Sequence, residues 1–354
     1  MILKEISFYR YNLPLVHPLN MKGYLHYERQ GLIIELSDEN NNKGYGDAAP
    51  FSGLHQETIN DIIQEGAEIA AQLYKIGVDS FSVKMDQIIS PSLQFAFEWA
   101  LLDLMARHRN MSPAFFLNQN SRPDIMINAL LSGSEKEMLD YANNIKMQNP
   151  QVVKLKVAHR PVKDDILLVQ KINDIFEGQV KLRLDANRSW SLQEAVQFSR
   201  EIGNINIEFI EEPLKNPLEQ QVFYENSGIR YALDESLSDC SIDDIKAMNG
   251  IAAFVIKPAV FGSINLIENW IDFARLLNVK VVFSSTFESS IGLWSIAQLA
   301  SALGQDTAHG LDTYRWLKRD VLSPSFKANN FKINIQKDFN SFNLNREIIK
   351  PIII

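Results

Sequence analysis

A chain of 354 residues, 46% apolar and 22% charged, can bury a sizeable core, which excludes wholesale disorder. A formal charge of −8 and a pI near 5.4 argue against a nucleic-acid or anionic-membrane surface, because both need a basic face. An acidic protein of this kind meets an acidic small molecule only through local cations or a metal ion. Cys240 is the only cysteine and cannot close an internal disulfide, which fits a reducing compartment. The opening MILKEISFYR is broken by Lys4 and Glu5 and does not read as an export signal. No run approaches the roughly 18 apolar residues of a membrane span, so the expected location is the cytoplasm. Asn187-Arg188-Ser189 then matches a glycosylation acceptor only by chance.

In chain order, Gly31-Leu32-Ile33-Ile34-Glu35-Leu36 reads as a strand, and the polar turn from Asp38 to Gly44 suits a hairpin loop. Residues 56–76 read as a helix, with Ile59, Ile62, Ile63, Ile69 and Ala70 recurring at three and four. Pro91 opens another, with Phe95, Trp99, Leu102 and Ala106 on one face. Together these predict a small α+β unit over 1–120.

From there the character changes. Strands are expected over 125–131, 152–157, 180–185, 207–211, 231–234, 253–257 and 279–283, with a shorter one near 308–311. Helical stretches lie between them, for example 163–176, 191–202 and 264–277. Strand starts recur roughly every 22 to 29 residues, which predicts repeated βα units and a parallel sheet. Seven or eight such units favour a closed α/β barrel of the TIM type over 121–322. No Gly-x-Gly-x-x-Gly or Walker loop is present, which weakens a nucleotide-binding reading. In 323–354 the chain turns polar, and 331–335 alternates like an amphipathic strand returning to the first unit.

The ends of the barrel strands carry charge: Lys154-Leu155-Lys156, Arg183-Leu184-Asp185 with Asn187 beyond, Glu211-Glu212-Pro213, Asp234-Glu235-Ser236, Lys257-Pro258 and Ser284-Ser285-Thr286. In a barrel these ends share one mouth, where active sites form. Alternation puts Val153, Leu155 and Val157 on one face and Lys154 and Lys156 on the other; the outer face must be apolar, so the lysines point inward. Asp185, Glu211 and Asp234 come from adjacent strands and repel unless a cation sits between them. Oxygen-only ligands favour Mg²⁺ over zinc, with Mn²⁺ as an alternative. A lysine beside an ammonium and a divalent ion has its pKa lowered from about 10.4, which suits removal of a proton α to a carboxylate.

Lys-x-Lys, Asp-x-Asn, Glu-Glu-Pro, Asp-Glu-Ser and Lys-Pro, in this order, resemble the muconate-lactonizing subgroup of the enolase superfamily. The stretches 184–190, 232–237, 255–258 and 284–292, with Gly46-Asp47-Ala48-Ala49-Pro50 and Gln56-Glu57-Thr58, resemble its o-succinylbenzoate synthases most. The resemblance implies a (β/α)7β barrel with an N-terminal α+β capping domain completed by the C-terminal tail. It implies Mg²⁺ on Asp185, Glu211 and Asp234, with Glu212 and Glu235 supporting the site from behind. Lys156 would be the general base, Lys154 the neighbour that tunes it, and Lys257 a protonated group stabilising the anionic intermediate. Arg183 and Asn187 would line the mouth, and Ser284 and Ser285 would lie near the succinyl arm of a small carboxylate substrate. The implied reaction is Mg-dependent dehydration of 2-succinyl-6-hydroxy-2,4-cyclohexadiene-1-carboxylate in menaquinone biosynthesis.

The cap loops at Met21-Lys22-Gly23-Tyr24 and Phe51-Ser52-Gly53-Leu54 would close over the mouth. The six histidines show no metal-ligand spacing and are expected to be packed or merely polar, Cys240 to be inert, and Pro351 to Ile354 to pack. A racemase of N-succinylamino acids, or another epimerase on the same scaffold, is the nearest alternative. Dipeptide epimerases of the family carry an Asp-x-Asp clasp on the last strand, where this chain has Gly310-Leu311-Asp312. A Schiff-base aldolase barrel would leave the three carboxylates unexplained, and a non-catalytic barrel would leave the whole set so.

Overall fold

Strands β1 (Leu3–Met21) and β2 (Tyr24–Asp38) form a long antiparallel hairpin whose turn places Lys22 and Gly23 at positive φ. The computed structural model describes residues 1–73, 88–336 and 343–352. β3 (Lys43–Ala48) pairs with β2, and the sheet is backed by α1 (Ile59–Leu73) and α2 (Pro91–His108). A Cβ on Gly46 would stand 1.9 Å from the Ala96 carbonyl oxygen, so the backbone of α2 lies directly on the strand. The helix expected from Gln56 begins at Ile59 instead. Thr58 and Asp61 bond to each other at its start, and Glu57 accepts hydrogen bonds from Ser92 at the start of α2. The predicted end of this helix at Ile76 lies outside the described residues.

The second unit is built on β4 (Asp124–Ile127), β5 (Ala129–Leu131), β6 (Val152–Lys156), β7 (Lys181–Asp185), β8 (Ile207–Glu211), β9 (Tyr231–Leu233), β10 (Ile251–Ile256), β11 (Lys280–Phe283) and β12 (Ala308–His309). The strands β5 to β11 form one parallel sheet in chain order. The ring closes through β12. Gly310 N donates to Phe283 O at 2.8 Å, Ser285 N donates to Gly310 O at 3.0 Å, and β12 runs parallel to β4. The strand expected over 125–131 is two, because the chain changes partners at the buried Asn128: β4 pairs with β12, and β5 with β6. Val153, Leu155, Leu182 and Leu184 are fully buried on the outer face, where the helices cover them. Three of those helices carry capping boxes, Ser134 with Glu137, Ser191 with Glu194 and Ser241 with Asp244. This is an α/β barrel of the TIM type with an N-terminal cap. No helix among the described residues is long and apolar enough to cross a membrane.

The C-terminal segment corrects one expectation. Beyond β13 (Leu322–Ser323), the alternating stretch forms β14 (Lys332–Asn334) and pairs antiparallel with β4 of the barrel, not with the first unit. Alternation reports one buried face, here Ile333, but not which open edge the strand joins. β15 (Asn343–Leu344) pairs with β13, and β16 (Lys350–Ile352) pairs with β1 and completes the cap sheet. Of the apolar terminus, Ile353 and Ile354 lie outside the described residues.

His309, at the closing strand, is 1% exposed, and its Nδ1 accepts a hydrogen bond from Phe283 N. Burial, with Arg183 and Arg122 adding repulsion, pushes its pKa down to about 3. It therefore stays neutral in the folded chain, whereas the unfolded chain protonates it below about 6.5. The unfolded state then binds the extra proton, so this contribution to stability is lost as pH falls from about 6.5, by at most about 1.4 kcal/mol per pH unit. Urea unfolding at pH 7 and pH 5 should show this loss, and His309→Asn, which keeps an acceptor for Phe283 N, should reduce it.

Candidate active site

Parallel register sets the site. Lys156, Asp185 and Glu211 are successive Cα partners across β6, β7 and β8, so their inward side chains stand in one row, about 4.8 Å per strand. Asp234 follows β9 directly, and Lys257 follows β10. Lys154 lies one layer deeper. Its Nζ donates to Glu211 Oε2 at 2.7 Å and pairs with Asp185 Oδ2 at 3.0 Å. Across the mouth, Lys257 Nζ donates to Asp234 Oδ2. Asn187 N donates to Asp185 Oδ1 at 3.2 Å. The half-buried Lys156 side chain has no hydrogen bond or ion pair among the described residues.

Burial opposes the charge of Lys154, but Asp185 and Glu211 outweigh it and hold the ammonium above its ordinary range. Asp234 and Glu235 do the same for Lys257. These two lysines are therefore shifted in the direction opposite to that expected of a base beside a cation, because carboxylates face them. Burial and then Asp185 push the Glu211 carboxyl up to about 8. Burial, with Lys257 opposing and Glu235 adding to it, pushes Asp234 up to about 6. At Asp185 burial is overcome by Lys154 and Lys156, and its carboxyl lies below the usual range. Among the described residues no three acidic, imidazole or thiol side chains converge closely enough to enclose a metal ion. Lysine nitrogens stand on the carboxylate oxygens instead. Glu211 Oε1 is nevertheless buried without a hydrogen-bond partner, as are Asn187 Oδ1 and Glu235 Oε2. A buried carboxylate oxygen with nothing to compensate it, in an all-oxygen donor set, fits a hard cation such as Mg²⁺.

The structure brings Lys154, Lys156, Asp185, Glu211, Asp234 and Lys257 to one mouth, but not Arg183. Arg183 has the inward parity of Asp185, but it lies two residues deeper, about 6.6 Å down the strand. It is 1% exposed and fully engaged, with Nε on Glu208 at 2.7 Å, Nη1 on Ala308 O and Nη2 on Thr307 Oγ1. Arg183 is thus an internal tie of the barrel rather than a mouth residue. The Ser285 hydroxyl is also taken, by Gly310 O and Thr313 Oγ1, while Ser284 remains half-buried at the rim. Glu212 is fully buried at φ 42° and accepts from Asp234 N, Ser236 N and Oγ, Arg188 Nε and Gln220 Nε2, fixing the turn that carries Asp234. Sequence reasoning gave Arg188 no role, although it lies in the stretch 184–190 that carries the resemblance. The available signal was its position just beyond the charged end of β7.

A cavity of about 1000 Å³ lies between cap and barrel beside these groups, lined among others by Lys22, His55, Glu57, Glu235 and Lys257. Lys22, at the tip of the cap hairpin, reaches Glu235 at 3.3 Å. His55 Nδ1 accepts from Phe51 N, so its Nε2–H faces Ala259 O at 3.2 Å, two residues beyond Lys257.

Comparison with known proteins adds identity to this geometry. Residues 137–338 match the family described as enolase C-terminal domain-like, and residues 3–104 match the MenC N-terminal domain. An o-succinylbenzoate synthase of Aliivibrio salmonicida (strain LFI1238) is 30% identical over 328 residues, covering 91% of this chain and 94% of that protein. Among solved structures, a dipeptide epimerase from Cytophaga hutchinsonii complexed with Mg and dipeptide D-Ala-L-Val superposes with a TM-score of 0.80 at 20% identity, over 100% of both chains. The N-succinyl Arg/Lys racemase from Bacillus cereus ATCC 14579 does so with a TM-score of 0.86 at 17% identity, again over 100% of both. At these identities the two structures speak for the fold.

If Arg183 is an internal tie, Arg183→Leu should destabilise the protein by about 3–5 kcal/mol, the cost of breaking a buried ion pair. Urea unfolding measures this. Mg²⁺ affinity, measured by calorimetry under folding conditions, should stay within about threefold, since other groups hold the mouth carboxylates.

Proposed function

The chain belongs to the enolase superfamily, within its o-succinylbenzoate synthase family, and is a lyase; on that premise we propose that it dehydrates 2-succinyl-6-hydroxy-2,4-cyclohexadiene-1-carboxylate to 2-succinylbenzoate in menaquinone biosynthesis. What carries this reading is the contrast among the three lysines. Lys154 and Lys257 are bound to carboxylates, whereas Lys156 stands beside Asp185 with no partner among the described residues. A nitrogen that already donates to a carboxylate is poorly placed to accept a proton, so Lys156 takes the role of base.

Asp185, Glu211 and Asp234 would hold Mg²⁺, which when bound supplies positive charge against the substrate carboxylate. Lys156 removes the proton α to that carboxylate. The electron pair moves into the carboxylate and then returns to the ring as the C–OH bond breaks. The leaving hydroxyl takes that proton back from the Lys156 ammonium and departs as water, so the base is restored and the ring becomes aromatic. Lys257, kept protonated by Asp234 and Glu235, offsets the negative charge from the opposite side. Lys154 holds Asp185 and Glu211 in place. Ser284 and Asn187 line the substrate side of the mouth.

A dipeptide epimerase, unlike an N-succinylamino acid racemase, needs an acidic clasp for a substrate ammonium. Asp312 is 1% exposed and occupied, by Arg315 at 2.8 Å and by Leu130 N at 2.9 Å, which supports a substrate without an ammonium group.

The experiment is 2-succinylbenzoate formation followed chromatographically with purified protein and Mg²⁺. Lys156→Ala should lower kcat by about 10⁴ or more while Mg²⁺ still binds. Retained activity would mean a different base. Incubation with an N-succinylamino acid in D₂O gives the second arm: rapid α-exchange without dehydration of the cyclohexadiene would replace this reaction by racemisation.

A further inference from the structure

Arg29, in the middle of β2, is 2% exposed, and no carboxylate pairs with it among the described residues. A buried guanidinium is costly unless its N–H groups are satisfied. Here main-chain carbonyls of two loops satisfy it. Nη2 donates to Ala49 O at 2.6 Å and Nη1 to Pro50 O at 3.0 Å, both in the cap. Nε donates to Phe287 O at 3.0 Å, in the barrel rim just beyond Ser284 and Ser285. The guanidinium also lies over the Phe51 ring, 4.1 Å from its centroid. Asp47 and Glu288 balance the charge from farther away.

The barrel end of this tie is strained. Phe287 has φ 63°, a left-handed conformation that a bulky residue holds only when its surroundings impose it. Those surroundings are Arg29 Nε on its carbonyl, the Phe51 and Trp316 rings against its side chain, and Glu288 folded back onto Thr286 N and Oγ1. The cap end is equally constrained. The His26 ring lies tilted against Phe51, 4.3 Å between centroids, and bonds to Ser52 O, and a Cβ on Gly53 would meet Met21 O at 2.6 Å, so the two cap loops touch.

We propose that Arg29 is a positioning residue: it joins the cap loop 49–54 to the barrel rim 284–288, so that the cap is held in one fixed place against the rim segment that begins at Ser284. The proposal rests on the reading of the barrel mouth as the active site. It assigns the cap a part in substrate fit and none in proton transfer. Loss of the tie should therefore weaken binding of ground state and transition state alike, raising KM and sparing kcat.

The test uses Arg29→Lys in the full-length, Mg²⁺-supplied enzyme. Lysine keeps the charge but cannot reach three carbonyls with one ammonium. Hydrogen–deuterium exchange should accelerate about tenfold or more in both 49–54 and 284–290, leaving 152–157 and 181–185 unchanged. KM should rise about tenfold or more with kcat within about threefold. If Arg29→Lys does not fold, Phe51→Leu keeps the guanidinium, removes the ring beneath it, and should shift both readouts in the same direction. Acceleration confined to one of the two segments, or an unchanged KM, overturns the proposal. Absence of dehydration by the unmodified protein would count against the proposed reaction alone, since the exchange pattern is read without substrate.

Discussion

Negative charge is concentrated at one end of the barrel and only partly neutralised, and the rest of the site follows from how it is neutralised. Asp185, Glu211, Asp234 and Glu235 meet Lys154, Lys156 and Lys257 in an interior where carboxylates cannot remain charged alone. Lys154 lies between Asp185 and Glu211, and Lys257 lies on Asp234. Glu211 keeps one oxygen with no partner, and its carboxyl is pushed up to about 8, burial contributing most. The same pairing divides the labour among the lysines. Two are spent on carboxylates, and Lys156 alone has no carboxylate within ion-pair distance among the described residues.

The barrel supplies position, and buried polar ties turn position into geometry. Glu212, next to Glu211 but facing away from it, gathers five donors and so fixes the turn from which Asp234 projects. The cap closes the cavity from the other side through contacts with two separate rim segments, Arg29 to Phe287 and His55 to Ala259. A mouth carrying this much charge benefits from a wall that excludes water, because electrostatic interactions strengthen as the surrounding dielectric falls.

Much of this was legible in the sequence because parallel strands make it so. Charged residues at successive strand ends must share a mouth, and alternation told which lysines face inward. Depth was not legible. Arg183 has the same parity as Asp185, and only the fold shows that Glu208, Ala308 and Thr307 wait for it two residues below. Edge choice was not legible either: 331–335 alternates as a strand should, yet it joins β4 of the barrel. Arg29 gave no signal, because its acceptors are main-chain carbonyls, one of them 258 residues away, and carbonyls carry no residue identity.

The most direct measurement is calorimetric titration of the purified chain with Mg²⁺, compared with Glu211→Gln. If Asp185, Glu211 and Asp234 hold one divalent ion as proposed, binding should saturate at one ion per chain. Affinity should also fall about 100-fold or more when Glu211 becomes neutral, since its carboxylate would be a direct ligand. Equal affinity in both proteins, or binding to neither, would contradict the account.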